Sequence, residues 1–493
     1  MPPSDGKKSP LPALLPAYLA LPLYALLFAV PGMLARQETA AAVASRPLLP
    51  DDRRMAADVA EFVERFGPRV RGTPEHAAAI HYLEDRFLEL ELVPLGNLGP
   101  TSYRFVTEAP DGGPPLVSLV GARSGTHPDR GYRLLSAHHD TVTSSPGAED
   151  DASGVAVVLE AARLTRDVPL AEDLLFAIFD GEEDGLLGSE AFAAALDAFP
   201  MGKPKAMVSL DMVGWSDGSP TLHTFAYGDA ATGRPRVAPD SLVSSLAAWA
   251  SAVDSPLALG DPWIEPLYPI VVRSLRAPHG SDDGPFTRRG IPALLLASSS
   301  FTSFYPHYHL PTDTPERVGE RTLSRCASIV THWLAYGDPG YQRMADAIEP
   351  VRIPFLGFAA ALPALFAARR RPGGLLGKAG LLVLLAAFLF GFRAAIVGAT
   401  LPLWLWPLAA GRALPRRLLL LAIAGLPFAA ILATLAAVVA VYGTRCVTAQ
   451  SAWPLAQVAL IGFGLVAAYA GAPRLEPSPR TVYGESTGPL CPA

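Results

Sequence analysis

The stretch LLSAHHDTVTSSPGAEDDASGV, Leu134–Val155, contains two adjacent histidines and four acidic residues within 22 positions. The apolar run that leads into it, YRLLSA, is typical of a buried strand. The last three residues of the stretch begin the run SGVAVVLEAARLTR, Ser153–Arg166, which has the spacing of a helix. The stretch therefore predicts a strand, a loop rich in ionisable side chains and a helix, the repeating unit of α/β domains.

Three more short apolar runs end in polar or turn residues, and each predicts a buried strand: DLLFAIFD, AMVSLDMVG and IPALLLAS. Helical spacing recurs in DDRRMAADVAEFVERFG and in TPEHAAAIHYLEDRFLEL, where Thr73 is a predicted cap and Pro74 lies in the first turn. A last helix is predicted near 318–335. We predict an α/β fold over residues 50–348, with helices on both faces of a mostly parallel central sheet.

Acidic or histidine residues follow the predicted strands, at the sheet edge where α/β proteins bind ligands. Taken singly, each is more often a helix cap or a solvated surface group. Their joint occurrence favours a metal site, as do the consecutive carboxylates of residues 149–151, which repel one another without a cation or a helix N-terminus. The candidates in chain order are His138, His139, Asp140, Glu149, Asp150, Asp151, Asp180, Glu182, Glu183, Asp184, Asp211, His307 and His309.

Several of these blocks occur together in an order that resembles the M28 family of zinc peptidases, the aminopeptidase Y and glutamate carboxypeptidase group. The blocks are AHHDTV, PGAEDDASGV, FDGEEDGLLGSE, LDMVG, SDDGPF and YHLPTDT, within about Tyr132–Val318. The resemblance implies the zinc exopeptidase fold, peptide substrates and two Zn²⁺ ions per chain.

Carried over block by block, the resemblance implies five metal ligands. His138 and Asp211 would bind the first ion, Glu183 and His309 the second, and Asp150 both. Nitrogen and oxygen ligands without thiolate suit zinc, although cobalt or manganese could be accepted. Three carboxylates and two neutral histidines bring a charge of −3 against +4 from two zinc ions, a near balance that makes a two-metal site reasonable.

The two implied catalytic residues are Glu182 and Asp140. Glu182 resembles the general base that takes a proton from a metal-activated water and delivers it to the leaving amine. Asp140 resembles the acidic partner that orients the imidazole of His138. We expect exopeptidase activity, and aminopeptidase rather than carboxypeptidase or dipeptidase activity.

Three positions depart from the family pattern. His139 stands where tyrosine is frequent, Glu149 where asparagine or aspartate is usual, and Asp283 where histidine, tyrosine or phenylalanine is commoner. A second imidazole at position 139 could compete for metal, so its role stays open. His279 and His307 could border the site, although a bystander role is the simpler reading of both.

Apolar segments flank the predicted domain. Residues 11–34 lack charge and follow Lys7 and Lys8, which predicts an N-terminal membrane anchor over residues 1–36 rather than a cleaved signal peptide. Residues 352–473 contain apolar runs for four or five transmembrane helices, and 474–493 form a tail.

The positive charges between these runs set a predicted topology. If the arginine-rich loops at 369–371 and 412–417 are cytoplasmic, the catalytic domain lies on the non-cytoplasmic side of a multi-pass membrane protein. This layout is similar to the endoplasmic-reticulum and vacuolar membrane members of M28. We expect the bacterial periplasm or exterior rather than an endomembrane lumen, with the lipid bilayer as a partner.

Composition excludes some functions. A net charge of −6 gives no reason to expect nucleic-acid binding, and Cys326, Cys446 and Cys491 form no CxxC pattern or disulfide framework. The sequence leaves the oligomeric state unknown. Three alternatives remain at this point: a glutaminyl-peptide cyclotransferase with one zinc, a non-catalytic binding ectodomain with the peptidase fold, and a separate transport function of the C-terminal segment.

Overall fold

The structure, a computed structural model, describes residue 34 and residues 37–232, 235–260, 280–300 and 303–339. All of them belong to one of the two units into which the chain divides. The predicted C-terminal transmembrane region and tail lie outside the described residues, as does the predicted anchor apart from residue 34. Within the described ranges, no helix combines the length and apolar character that crossing a bilayer requires.

A mixed sheet of nine strands, in the order β1-β3-β5-β4-β6-β11-β7-β10 with β2 beside β3, forms the centre of the described unit. A short ribbon of β8 and β9 stands apart. The strands are β1 (Val93–Pro94), β2 (Arg104–Thr107), β3 (Leu116–Arg123), β4 (Tyr132–His138), β5 (Asp173–Phe179), β6 (Ala206–Leu210), β7 (Thr221–His223), β8 (Tyr227–Gly228), β9 (Pro235–Arg236), β10 (Ala258–Leu259) and β11 (Ala293–Ala297).

The middle of the sheet is parallel, as predicted: β4 pairs in parallel with β5 and β6, and β6 with β11. The prediction of a mostly parallel sheet is wrong at the flanks, where the pairing is largely antiparallel. Strands β1, β2 and β5 all run antiparallel to β3, and β7 runs antiparallel to β11. Only eight residues separate β2 from β3, and so short a link can join antiparallel neighbours but not a parallel pair.

Helices cover both faces of the sheet, which confirms this part of the predicted fold. Alternate strand residues point to opposite faces, so Leu135 and Phe176 join one core layer while Leu134 and Leu175 join the other. The helices are α1 (Asp52–Phe66), α2 (Pro74–Glu89), α3 (Gly154–Leu164), α4 (Leu187–Ala195), α5 (Asp240–Ala252), α6 (Asp283–Arg288) and α7 (Glu320–Tyr336). The first layer packs against α1, α2, α3, α5 and α7, and the second against α4 and α6.

The start of α2 matches the predicted cap. Oγ1 of Thr73 accepts the backbone N–H of His76 at 3.2 Å, and Pro74 occupies the first turn. This pairing satisfies one of the backbone donors that a helix N-terminus leaves free. It also fixes the position of His76, whose side chain is buried against the sheet.

Candidate metal centre

The candidate site lies at the carboxyl edge of the parallel strands. The register pairs His138, the last residue of β4, with Phe179, the last residue of β5. Asp180 and Glu182 therefore follow one strand beside Asp140, which follows the other, while Asp211 comes directly after β6. The sheet thus brings together residues that are far apart in the chain.

The five predicted ligands form two groups that share one carboxylate. In the first, Nε2 of His138 lies 3.2 Å from Oδ1 of Asp150 and 3.8 Å from Oδ1 of Asp211. In the second, Nε2 of His309 lies 3.3 Å from Oδ2 of Asp150 and 2.9 Å from Oε2 of Glu183. Each oxygen of Asp150 therefore belongs to a different group, which is the arrangement that a bridging carboxylate requires.

The donor set fits metal ions. One buried atom in each of the five predicted ligands has no hydrogen-bond partner among the described residues. Because burying a polar atom without a partner is unfavourable, these atoms need a ligand that the described residues do not supply. The atoms are Nε2 of His138, Oδ2 of Asp150, Oε1 of Glu183, Oδ1 of Asp211 and Nε2 of His309.

The tautomer of His138 also suits a ligand. Its Nδ1 lies 3.2 Å from the main-chain oxygen of Asp140, which can only accept, so Nδ1 carries the proton and Nε2 presents a lone pair. The carboxylate of Asp140, expected to orient this ring, is 3.5 Å from Nδ1. It mainly accepts the backbone N–H groups of Glu182 and Glu183, at 3.2 and 3.1 Å. Asp140 therefore positions one histidine and two glutamates.

Crowded carboxylates raise the pKa values of the glutamates. Burial, together with Asp211 and Glu183, raises the pKa of Glu182 well above its usual value despite the opposing effect of His138. Burial and Asp150 raise the pKa of Glu183 to about 7. Concentrated negative charge of this kind favours a bound cation.

Two aspartates support the ligands in roles that the sequence did not predict. Asp151 accepts the backbone N–H groups of His138 and Met212, both at 3.2 Å, and so joins the ends of two strands. Asp313 accepts those of Glu149 at 2.9 Å and Asp150 at 3.3 Å. Both lie inside the sequence blocks PGAEDDASGV and YHLPTDT, which was the available signal. Their contacts join distant positions that spacing does not reveal.

Glu149 is buried behind the site and is not a member of either group. It accepts hydrogen bonds from the backbone N–H groups of Gly214 and Trp215 and from Oγ of Ser298, at 2.7–3.0 Å. Burial raises the pKa of its carboxyl group to about 8. Its position explains how three consecutive acidic residues fit one turn, because only Asp150 faces the two groups.

A fully buried arginine holds the loop between β4 and Asp150. The guanidinium of Arg69 donates to the main-chain oxygens of His139, Gly67, Pro146 and Gly147 at 2.7–3.0 Å. Burial lowers its pKa to about 10, a value that keeps the group charged at neutral pH. Arg69 thereby closes the turn that carries Asp150 towards His138.

The remaining candidates lie outside both groups. Nε2 of His139 is 3.1 Å from the main-chain oxygen of Val117, and its ring packs against that of His76. Nδ1 of His307 lies 2.8 Å from Oγ1 of Thr312, and His279 falls outside the described residues. Asp283 is buried and accepts a hydrogen bond from the hydroxyl of Tyr227 at 3.0 Å.

A cavity of about 190 Å³ opens beside the two groups. Asp150, Glu182 and Asp211 line one part of it. Its other described walls are largely apolar, formed by Met212, Phe225, Leu295, Ala297, Phe304 and Tyr308 with His223, Gly280, Ser299 and Ser300. A carboxylate cluster beside an apolar pocket can place a polar reacting group and an adjacent side chain together.

Fold and site together define the class: an α/β protein with a histidine–carboxylate metal centre at the carboxyl edge of its sheet. The family model described as Peptidase family M28 matches residues 118–334. Residues 118–334 therefore match the M28 family, which confirms the resemblance found in the sequence blocks.

Individual relatives agree with this assignment. Aminopeptidase YwaD of Bacillus subtilis (strain 168) is 31% identical over 220 residues, 44% of this chain and 43% of that protein. A probable zinc metalloprotease of Pyrenophora tritici-repentis (strain Pt-1C-BFP) is 28% identical over 228 residues, 42% of this chain and 52% of that protein. This chain thus spans about half the length of these curated relatives.

One similar solved structure is that of Porphyromonas gingivalis glutaminyl cyclase. It is 24% identical, with a TM-score of 0.45, and the alignment covers 58% of this chain and 98% of that chain.

Proposed function

We propose that this chain is a dinuclear zinc aminopeptidase that removes residues from the amino ends of peptides. The observation that carries the proposal is the division of the Asp150 carboxylate, whose oxygens lie 3.2 Å from Nε2 of His138 and 3.3 Å from Nε2 of His309. His138, Asp150 and Asp211 would hold one ion, and Asp150, Glu183 and His309 the other. When bound, zinc would polarise the scissile carbonyl and make the attacking water more acidic.

Glu182 supplies the proton transfer in this proposal. Its side chain lines the cavity beside Asp150 and Asp211, and its pKa is raised by burial. A carboxylate in this position takes a proton as the water oxygen attacks the peptide carbon. It then delivers that proton to the nitrogen as the C–N bond breaks. Asp140 keeps the base in place through the backbone N–H of Glu182.

The charge of the cavity favours the amino end of a substrate. A carboxypeptidase needs a fixed cation to bind the terminal carboxylate, and the described lining residues include no lysine or arginine. The name of the YwaD relative, an aminopeptidase, agrees with this preference.

We also propose that the enzyme is an integral membrane protein whose catalytic domain faces the periplasm or exterior. Support comes from the apolar segments at 11–34 and 352–473 and from the lysines and arginines that flank them.

Alkaline carbonate extraction of membranes tests whether the protein is integral to the membrane, because an integral protein stays in the pellet. Protease treatment of intact spheroplasts tests the orientation: loss of the domain supports the outward orientation, and its protection contradicts it.

Zinc content and substrate choice test the activity together. We expect two zinc ions in the wild-type His138/His309 centre and hydrolysis of free aminoacyl substrates, with little hydrolysis of the same substrates blocked at nitrogen. One zinc in this centre with cyclisation of N-terminal glutamine would instead identify a glutaminyl cyclase. A folded, zinc-loaded protein that processes none of these substrates would favour the binding ectodomain.

A further inference from the structure

A third histidine–carboxylate group lies behind the metal centre. It consists of His76 at the start of α2, His139 after β4 and Asp180 after β5, with potential ligand atoms within 4.8 Å of one another. None of the three side chains is more than 5% exposed. It shares no residue with the two groups joined by Asp150.

Backbone alternation separates this group from the centre in front of it. His138 and Asp140 contribute to the centre, whereas His139 between them turns to the opposite side and packs against His76 with 5.0 Å between ring centroids. Asp180 also points to His76, with 2.9 Å between Oδ1 and Nε2. Alternation does not continue from Asp180 to Glu182, because Gly181 between them has a φ of +67° and turns the backbone. Two strand ends therefore present ionisable side chains to both of their sides.

The tautomer of His139 leaves a donor atom without a partner. Its Nε2 must carry the proton, because the main-chain oxygen of Val117, 3.1 Å away, can only accept. Nδ1 then presents a lone pair. It is buried and has no hydrogen-bond partner among the described residues. A buried lone pair without a partner is unfavourable, and a hydrogen-bond donor or a metal ion would satisfy it.

The chemistry of the group suits a borderline divalent metal. Two imidazole nitrogens and one carboxylate oxygen are a frequent protein ligand set for zinc. The second oxygen of Asp180 accepts the backbone N–H of Val117 at 2.7 Å, which fixes the carboxylate and leaves Oδ1 for the group. Thr73 fixes His76 from the other side by capping α2.

We propose that His76, His139 and Asp180 form a third metal site, for zinc or a similar divalent ion, separate from the hydrolytic centre. Bound there, the ion joins the start of α2 to the ends of β4 and β5, directly behind the residues that hold the centre. Because the ligands are buried, the ion is acquired as the domain folds and contributes to its stability.

Zinc content of the purified full chain tests this site without reference to activity. His139→Phe keeps a buried ring but removes the lone pair, and we expect it to hold one zinc fewer than wild type. His127→Phe, at an exposed position, is the matched control and should keep the wild-type content. Asp150→Ala should lose the ions of the hydrolytic centre and retain the third ion. A failure of the dinuclear proposal can therefore be told apart from a failure of the third site.

Equal zinc content in wild type and folded His139→Phe would overturn the inference. If His139→Phe does not fold, zinc-edge anomalous scattering from wild-type crystals decides instead. A peak between the three side chains supports the site, and its absence overturns it.

Discussion

Oδ1 of Asp140 accepts the backbone N–H of Glu182 at 3.2 Å, so a residue at the end of β4 holds the proposed base that follows β5. The main-chain oxygen of the same aspartate lies 3.2 Å from Nδ1 of His138. Ligand and base are thus positioned by one residue. Their geometry depends on the parallel pairing of the two strands.

Asp140→Asn should lower activity without unfolding the domain. An amide can accept only one of the two backbone N–H groups that the carboxylate accepts, and its NH₂ group opposes the other. Loss of a group that orients metal ligands typically costs about 10–100-fold in activity or metal affinity. Steady-state kinetics and zinc content would show this loss, whereas Asp217→Asn at an exposed position should resemble wild type.

Glu182→Gln should reduce kcat by roughly 10²–10⁴-fold, the usual contribution of a general base. Metal content should remain at the wild-type level, because Glu182 is in neither ligand group. Glu108→Gln, an exposed change of the same kind, is the control. Substantial turnover by metal-loaded Glu182→Gln would remove this residue from the base role.

Asp150→Ala and Glu183→Ala should differ in how much metal they lose from the hydrolytic centre. Asp150 contacts both histidines of the centre, so its removal should empty both positions. Glu183 approaches only His309 among them, so its removal should mainly empty one. Metal analysis after dialysis checks the difference, and similar losses from both variants would argue against a shared carboxylate.

Asp313→Ala should destabilise the turn that carries Asp150. It leaves the buried backbone N–H groups of Glu149 and Asp150 without their acceptor, at roughly 1–3 kcal/mol for each unpaired group. Tyr305→Phe removes one of the hydrogen bonds to Asp313 but keeps the carboxylate, so its effect should be smaller. Thermal melts of the purified variants compare them, and equal stability would contradict the positioning role.

Arg69→Met should destabilise the protein by about 3 kcal/mol or more, since one hydrogen bond from a charged group contributes roughly 1.5–3 kcal/mol. Four main-chain oxygens each lose the hydrogen bond from the guanidinium in this variant. Arg65→Met, on the exposed side of α1, should change stability far less. Denaturant titration of both variants measures the contrast, and comparable stabilities would show that Arg69 does not hold the loop.

The sequence predicted the parallel part of the fold because each central strand is a continuous apolar run that ends in a polar residue. The shortest strands of the antiparallel flanks escaped prediction for a physical reason, whereas length does not account for β3, which has eight residues. Strand β7 has three residues and β1 only two, and runs this short carry no periodicity to read. Their pairing depends on contacts with strands elsewhere in the chain.

The candidate ligands were also accessible from sequence, since the blocks that contain them occur in family order. The residues that position those ligands were not accessible from sequence. Asp313 contacts Asp150 across 163 residues, and His76 meets Asp180 across 104. Such pairs depend on how the folded chain returns to the same sheet edge. The orientation of His139 likewise follows from the alternation at the end of β4, and its residue type alone did not reveal it.

The alternation of residues 138–140 makes the length of this segment as important as its composition. Deleting one residue between Ser136 and Asp140 would exchange the two sides and present the wrong imidazole to Asp150. Substitutions can accumulate here one at a time, but an insertion or deletion alters both sides together. Engineering of this domain should therefore vary side chains in the segment and keep its number of residues unchanged, so that each position still points to the same side.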